Sequence, residues 1–175
     1  MRRLLLYLFF LSFFPTWLAA QKIEVERRVP LSDAPELMLQ YLETAYPLKR
    51  RLKLYKERNE KGVFFEAKFL SEKDRYSVKF TTEGLLVDTE RKIPYKAIPS
   101  EIRQHIANQL EKEFRRYNIK KVQEVIQGKE VVGYELVVSG QLNGLHGLFE
   151  GQFDGKGKQE SLRTIEQAPN EFQFF

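Results

Sequence analysis

The sequence predicts an α+β protein in which one unit, a helix followed by four antiparallel strands, occurs twice in tandem. Two segments carry apolar residues at helical spacing, and behind each the period drops from 3.6 to two, the mark of half-buried strands. Three turn-forming clusters punctuate the residues after each helix. The third of these turns recurs: Phe80-Thr81-Thr82-Glu83-Gly84 corresponds to Phe153-Asp154-Gly155-Lys156-Gly157 at a constant offset of 73 residues. Such self-similarity marks a repeated supersecondary unit. The pattern allows two separate sheets or one continuous eight-stranded sheet.

Residues 1–20 read as a signal peptide. Arg2 and Arg3 precede an apolar stretch from Leu4 to Phe14, and Leu18-Ala19-Ala20 offers small residues for cleavage. Pro15 interrupts the stretch, which is shorter than the roughly 20 residues of a membrane span. Residues 21–31 form an extended leader ending in Val29-Pro30. The first unit, 32–92, opens with Ser32 or Asp33 as helix cap and Pro35 near the first turn. Leu37, Met38, Tyr41, Leu42, Ala45 and Tyr46 share one helical face, and Pro47 ends it. Strands follow at 52–58, 63–70, 75–81 and 85–90.

The second unit, 93–169, opens with Ile98-Pro99-Ser100-Glu101. Ile102, Ile106, Leu110, Phe114 and Tyr117 then recur at steps of four, four, four and three, predicting a longer amphipathic helix. Its strands are expected at 119–127, 131–139, 145–153 and 158–166, with Asn143-Gly144 as a hairpin signal. Residues 170–175 are a tail. Alternation places Val63, Phe65, Ala67 and Phe69 beneath the helices, with Val132, Tyr134, Leu136 and Val138, then Leu145, Phe149 and Phe153.

Without residues 1–20 the chain keeps 155 residues and a net charge of +3 from 27 basic and 24 acidic side chains, enough length for a core without staples. A mixed surface of this kind argues against nucleic-acid binding, which needs a basic face. No cysteine occurs, so neither a disulfide nor a lipidated cysteine is available. The expected location is periplasmic or secreted, and soluble.

The chain resembles the PepSY-like, or beta-lactamase-inhibitor-protein-like (BLIP-like), secreted proteins of Bacteroidetes. The resemblance spans residues 29–169 and rests on Val29-Pro30 and Ile98-Pro99, on Phe65-Glu66 and Tyr134-Glu135, and on Phe153-Asp154 with Gly157. Thr81 stands where the pattern has an aspartate. The resemblance implies a non-enzymatic envelope module that binds another protein or restrains a protease or hydrolase.

Reactive constellations are scarce. His105 and His146, the only histidines, read as solvated side chains on the polar side of the second helix and on an outward strand position. No nucleophile elbow, phosphate-cradling loop or zinc-binding helix motif occurs, and no metal or cofactor is expected. Asp154 brings one carboxylate where a calcium loop needs several, so it reads as a turn former. The basic run from Lys49 to Arg58 reads as the solvent face of a strand, with docking to an anionic surface as the alternative. Gln123 to Gly128 faintly resembles the cystatin wedge, with its glycine one residue late.

The remaining candidate is the sheet face opposite the helices. Outward parity puts Phe64, Glu66, Lys68 and Leu70 there in the first unit and Val137, Leu148 and Glu150 in the second. Phe64, Lys68, Leu70, Val137 and Leu148 are the expected binding residues, an apolar centre with charged neighbours suited to an envelope protein partner.

Overall fold

The computed structural model describes residues 25–165. The expected signal peptide and the 170–175 tail lie outside them. The elements run β1 (Val25–Val29), α1 (Glu36–Ala45), β2 (Arg50–Asn59), β3 (Gly62–Ser71), β4 (Asp74–Phe80), β5 (Leu86–Lys92), α2 (Ser100–Glu113), β6 (Tyr117–Gln127), β7 (Glu130–Leu142), β8 (Leu145–Asp154) and β9 (Gln159–Ile165). All nine strands join one antiparallel sheet in chain order. The sheet is thus continuous but has nine strands, because Val25–Val29 of the expected leader pairs with β2, Val29 opposite Leu54.

Both helices cover the same face. Val78 sits beneath α1 and pairs with Thr89, Thr89 pairs with Ile126, and two steps of two residues along β6 lead from Ile126 to Val122, which pairs with Leu136 beneath α2. Met38 and Leu42 of α1 bury against Leu54, Ala67, Val78 and Phe80. Ile106 and Leu110 of α2 bury against Val122, Leu136, Val138 and Phe149. The first core carries an aromatic cluster, with Tyr46 4.8 Å from Phe69 and 5.1 Å from Tyr76, ring centre to ring centre.

The helix entrances differ from the expectation. Ser32 and Asp33 lie in a 3-10 turn, Leu31–Asp33, and Pro35 is the residue before α1, without a side-chain cap. A second 3-10 turn, Tyr95–Ala97, precedes α2, again with prolines at both ends: Pro94 and Pro99 stand 64 residues after Pro30 and Pro35. The counterpart of Pro30 is therefore Pro94, and Pro99 answers Pro35. At its far end α2 stops at Glu113; Phe114 is already extended yet buried, and Tyr117 opens β6.

Two expected core residues are displaced. A bulge leaves Val132 between the pairs Val125–Gly133 and Ile126–Val131, so it is 37% exposed. Leu145 sits at the Asn143-Gly144 hairpin tip, exposed.

The third turn of each half closes against its helix. Gly84 and Gly157 have φ of +88° and +81°, where glycine carries no steric penalty. A Cβ on Gly84 would lie 2.8 Å from the Met38 amide nitrogen, and one on Gly157 2.7 Å from the Ile102 carbonyl oxygen. Asp154 Oδ1 accepts from the amides of Lys156 and Lys158 at 2.9 and 2.8 Å, as expected of a turn former. Thr81 Oγ1 makes the same pair of bonds, to Glu83 and Leu85, at 3.2 and 3.3 Å.

Candidate functional site

The helix-free face is assembled by register. Alternation turns Phe64, Glu66, Lys68 and Leu70 of β3 away from the helices, and pairing carries that side outward in both directions. Glu66 faces Tyr55 and Lys79, Lys79 faces Asp88, and Ser77 faces Glu90. Beyond Glu90 come Val125 of β6, then Gln123 opposite Glu135, Val137 opposite Glu150, and Leu148 opposite Ile165. Glu26 on β1, opposite Glu57, completes the row. The face therefore runs unbroken across all nine strands.

Its centre is charged rather than apolar. Glu57, Glu66, Gln123, Glu135 and Glu150 are all buried, a state that carboxylates occupy only when partnered. Lys68 Nζ binds Glu26 at 2.7 Å and Glu66 at 3.1 Å, while Ser77 donates its hydroxyl to Glu66. Lys79 pairs with Glu57 at 3.0 Å, and Asn59 adds a bond to the same carboxylate at 2.5 Å. In the second half Lys121 approaches Glu135 at 3.5 Å, Arg163 approaches Glu150 at 3.7 Å, and Gln123 Nε2 donates to Glu90 at 2.7 Å.

The electrostatics follow from burial and neighbours. Burial, then repulsion by Glu66, lifts Glu26 to about 7 against the pull of Lys68. Burial disfavours ionised Glu66 too, but Lys68, the bonds from Glu26 and Ser77, and Lys79 outweigh it and hold that carboxyl at about 2. Below about pH 7 the pair therefore holds one proton between them. Glu90 lies well above the ordinary carboxylate range because of burial and then Glu135, with Lys121 opposing. Asp88 is raised by burial against the pull of Lys79. Burial acts to lower Lys68 and Lys79, but their carboxylate partners prevail and raise both.

A cavity of about 370 Å³ opens at the end of this face nearest the β2–β3 turn. Lys61, Phe64 and Lys79 line it from the first half of the sheet, and Glu135, Gln152 and Arg163 from the second. Residues of β3 and β9 can share one cavity only if the sheet curls toward its helix-free side. The volume is at the small end for ligand pockets.

The five expected binding residues all fall on this face, in different settings. Phe64 lines the cavity, half-buried, with the Lys79 ammonium 5.9 Å from its ring centre. Lys68 is engaged by Glu26 and Glu66 and lies 4.9 Å over the Tyr55 ring. Leu70 and Leu148 are half-buried toward the opposite end. Val137 is only 3% exposed, between Lys121 and Glu150 in the register, and offers little contact surface. The expected apolar centre is corrected accordingly: Lys79, Asp88, Glu90, Gln123 and Glu135 fill it. Their one sequence signal is outward parity, which becomes informative only once the strands are in register.

Other candidates stay apart from the face. His105 and His146 are exposed, and His105 Nδ1 lies 3.1 Å from the Lys156 carbonyl at the turn. Among the described residues no group of three or more His, Cys, Asp or Glu side chains could hold a metal ion. In the basic run, Lys49 pairs with Glu43 at 2.6 Å and Leu54 is buried, while Arg50 and Arg51 are exposed. Gln127 ends β6, and Gly128-Lys129 forms the β6–β7 turn.

No family model and no curated protein matches the sequence. Solved structures do match. A BLIP-like protein from Bacteroides fragilis aligns at TM-score 0.54 and 15% identity, over 81% of this chain and 92% of its own. A DUF2874 family protein from Bacteroides uniformis aligns at TM-score 0.58 and 17% identity, over 79% of this chain and 95% of its own. A candidate periplasmic protein from Bacteroides eggerthii aligns at TM-score 0.58 and 17% identity, over 78% and 93%. The chain shares the BLIP-like fold. At these identities the likeness is one of architecture. Among the described residues no helix is long and apolar enough to cross a membrane.

Proposed function

We propose that this chain is an exported, non-enzymatic binding module that docks another envelope protein on the helix-free face of its sheet. The observation that carries the reading is the cavity on that face, framed by polar side chains whose partners already fix their geometry. Pre-fixed polar groups beside apolar ones suit recognition, since ordering them costs little when a partner arrives. The BLIP-like and candidate periplasmic neighbours fit such a module, and residues 1–20 supply the export signal in this reading. The body is taken as two copies of one helix-plus-four-strand unit, which the matched turns at Gly84 and Gly157 support.

The test is capture from envelope extract with the purified protein as bait. The proposal expects a protein retained by the wild type and lost with the Phe64→Glu/Leu148→Glu double variant, but kept when the helix-side residue Gln104 becomes Glu. Capture that survives the double variant would move docking off this face. A change in the rate of a captured protease or hydrolase would mark the module as an inhibitor. Loss on Arg50→Glu/Arg51→Glu alone would favour anionic-surface docking through the 49–58 run.

A further inference from the structure

The two edges of the sheet carry different charge. Among the described residues β1 pairs only with β2, and β9 only with β8, so each presents one unpaired side of its backbone. Every second residue of such a strand aims its N–H and C=O away from the sheet. β8 and β9 together hold three carboxylates and one arginine. β1 and β2 hold seven lysines and arginines against two glutamates. Both glutamates are already engaged, Glu26 by Lys68 at 2.7 Å and Glu57, 4% exposed, by Lys79 at 3.0 Å. Arg27, Arg28, Lys56 and Arg58 are exposed and leave the β1 edge net positive.

These cations are divided between the two faces of the sheet. Val29 is buried in the core beneath α1, so Val25 and Arg27 share the helix side, with Arg58 and Lys56 opposite them. Lys56 holds its ammonium 5.5 Å from the ring centre of Phe65, a residue of the same core. Arg28 lies on the helix-free side, opposite Tyr55. A flat anionic surface would engage the cations of one face only. A strand laid along the edge sends alternate side chains to both faces, and so meets Arg27 with one residue and Arg28 with the next. Val25, 59% exposed, adds an apolar contact beside them.

We infer that the outer edge of β1 docks an acidic, extended segment of a partner protein, which joins the sheet as a further strand. Main-chain hydrogen bonds to β1 supply affinity, and adjacent acidic side chains facing Arg27 and Arg28 supply selectivity. The site is separate from the helix-free face and does not depend on it. Like charges placed opposite one another destabilise a strand pair, so the arginines that admit an acidic strand also keep β1 from pairing with the β1 of a second copy.

The probe is acetyl-Val-Thr-Glu-Glu-Thr-Val-amide, which reads the same in both directions and so suits parallel or antiparallel pairing. It is titrated into the isotope-labelled protein while the β1 backbone amides are followed by NMR. The expected result is a saturable shift centred on Val25 to Val29, with none from a peptide carrying Lys-Lys in place of Glu-Glu. Two further peptides are N-methylated at alternate residues, one at odd positions and one at even. One of the two should lose binding and the other keep it, because only one set of N–H groups faces β1. Arg27→Glu/Arg28→Glu should weaken the acidic peptide by about tenfold or more, and Arg27→Gln/Arg28→Gln by less. If both methylated peptides bind as the parent does, charge alone holds the peptide and the strand-addition inference falls. It is equally overturned by the absence of a saturable shift, or by equal binding of the Glu-Glu and Lys-Lys peptides. Shifts of the β1 amides with vesicles of phosphatidylcholine and phosphatidylglycerol, but not with the peptide, would overturn it in favour of a membrane surface.

Discussion

The turns at Thr81–Gly84 and Asp154–Gly157 share one backbone and differ in nearly every side chain. In each, residue one accepts from the amide three residues on, Gly84 to Thr81 at 3.0 Å and Gly157 to Asp154 at 2.9 Å. In each, a side-chain oxygen binds the amides two and four residues on. The oxygen is a hydroxyl in one and a carboxylate in the other, and local charge accounts for the choice. Lys156 and Lys158 flank Asp154, whereas Glu83 and Leu85 hold the equivalent places beside Thr81. The helices differ likewise. His105 and Gln109 bind the Lys156 and Gly157 carbonyls, while Tyr41 and Ala45 stand 64 residues earlier, Tyr41 packing on Phe80 with ring centres 5.6 Å apart. The glycine and the helix backbone are the common frame, and the side chains around it are interchangeable filler.

The largest test of that equivalence is truncation of the paired aromatics. Phe80 and Phe153 are both fully buried, so Phe→Ala at either should cost about 3–5 kcal/mol in urea unfolding, with similar values for the two. A large inequality would break the symmetry of the cores. Next come the glycines: Gly84→Ala and Gly157→Ala combine a positive φ with a clash against helix backbone, for an expected loss of about 2–3 kcal/mol each. Gly144→Ala has the positive φ without the clash and should lose only about 1 kcal/mol.

A smaller effect separates the two turns by pH. Backbone bonds from Lys158 and Lys156 hold the Asp154 carboxyl below its ordinary range. A depressed folded value means a contribution present above the unfolded pKa and lost as pH falls through the folded one. Asp154→Asn should therefore flatten the acid limb of the stability curve, measured by urea midpoints, and Thr81→Ala should leave that limb unchanged. Thr81→Asp should gain less than Asp154→Thr loses, because Glu83 repels the new carboxylate. Elsewhere the sign reverses. Glu26 is raised to about 7 by burial, so the folded protein holds a proton that the unfolded chain releases, and stability declines as pH rises from the ordinary carboxylate range toward 7. Glu26→Gln should abolish that decline.

Much of this architecture was legible in sequence because strand alternation survives wherever pairing is regular. The sequence missed β1 because only Val29 of its five residues is fully buried, so no buried alternation marks it. It misplaced Val132 because a bulge inverts parity locally, and it set Pro30 against Pro99 because the 3-10 turns, with Pro30 and Pro35 beside one and Pro94 and Pro99 beside the other, have no apolar period. The helix-free face was found by parity. Its charged centre was not, since Lys79, Glu90 and Glu135 meet Glu66 only after four separate strands are aligned.

The sheet order has a kinetic meaning. Every ladder joins strands that are consecutive in the chain, so no strand awaits a partner from the far end of the sequence. Loop closures are correspondingly short, and the two longest are the connections spanned by α1 and α2. Such a topology favours fast folding for a β-rich protein and permits growth strand by strand from an established hairpin. A chain emerging from one end could extend the sheet at its growing edge, each new strand meeting a template already in place.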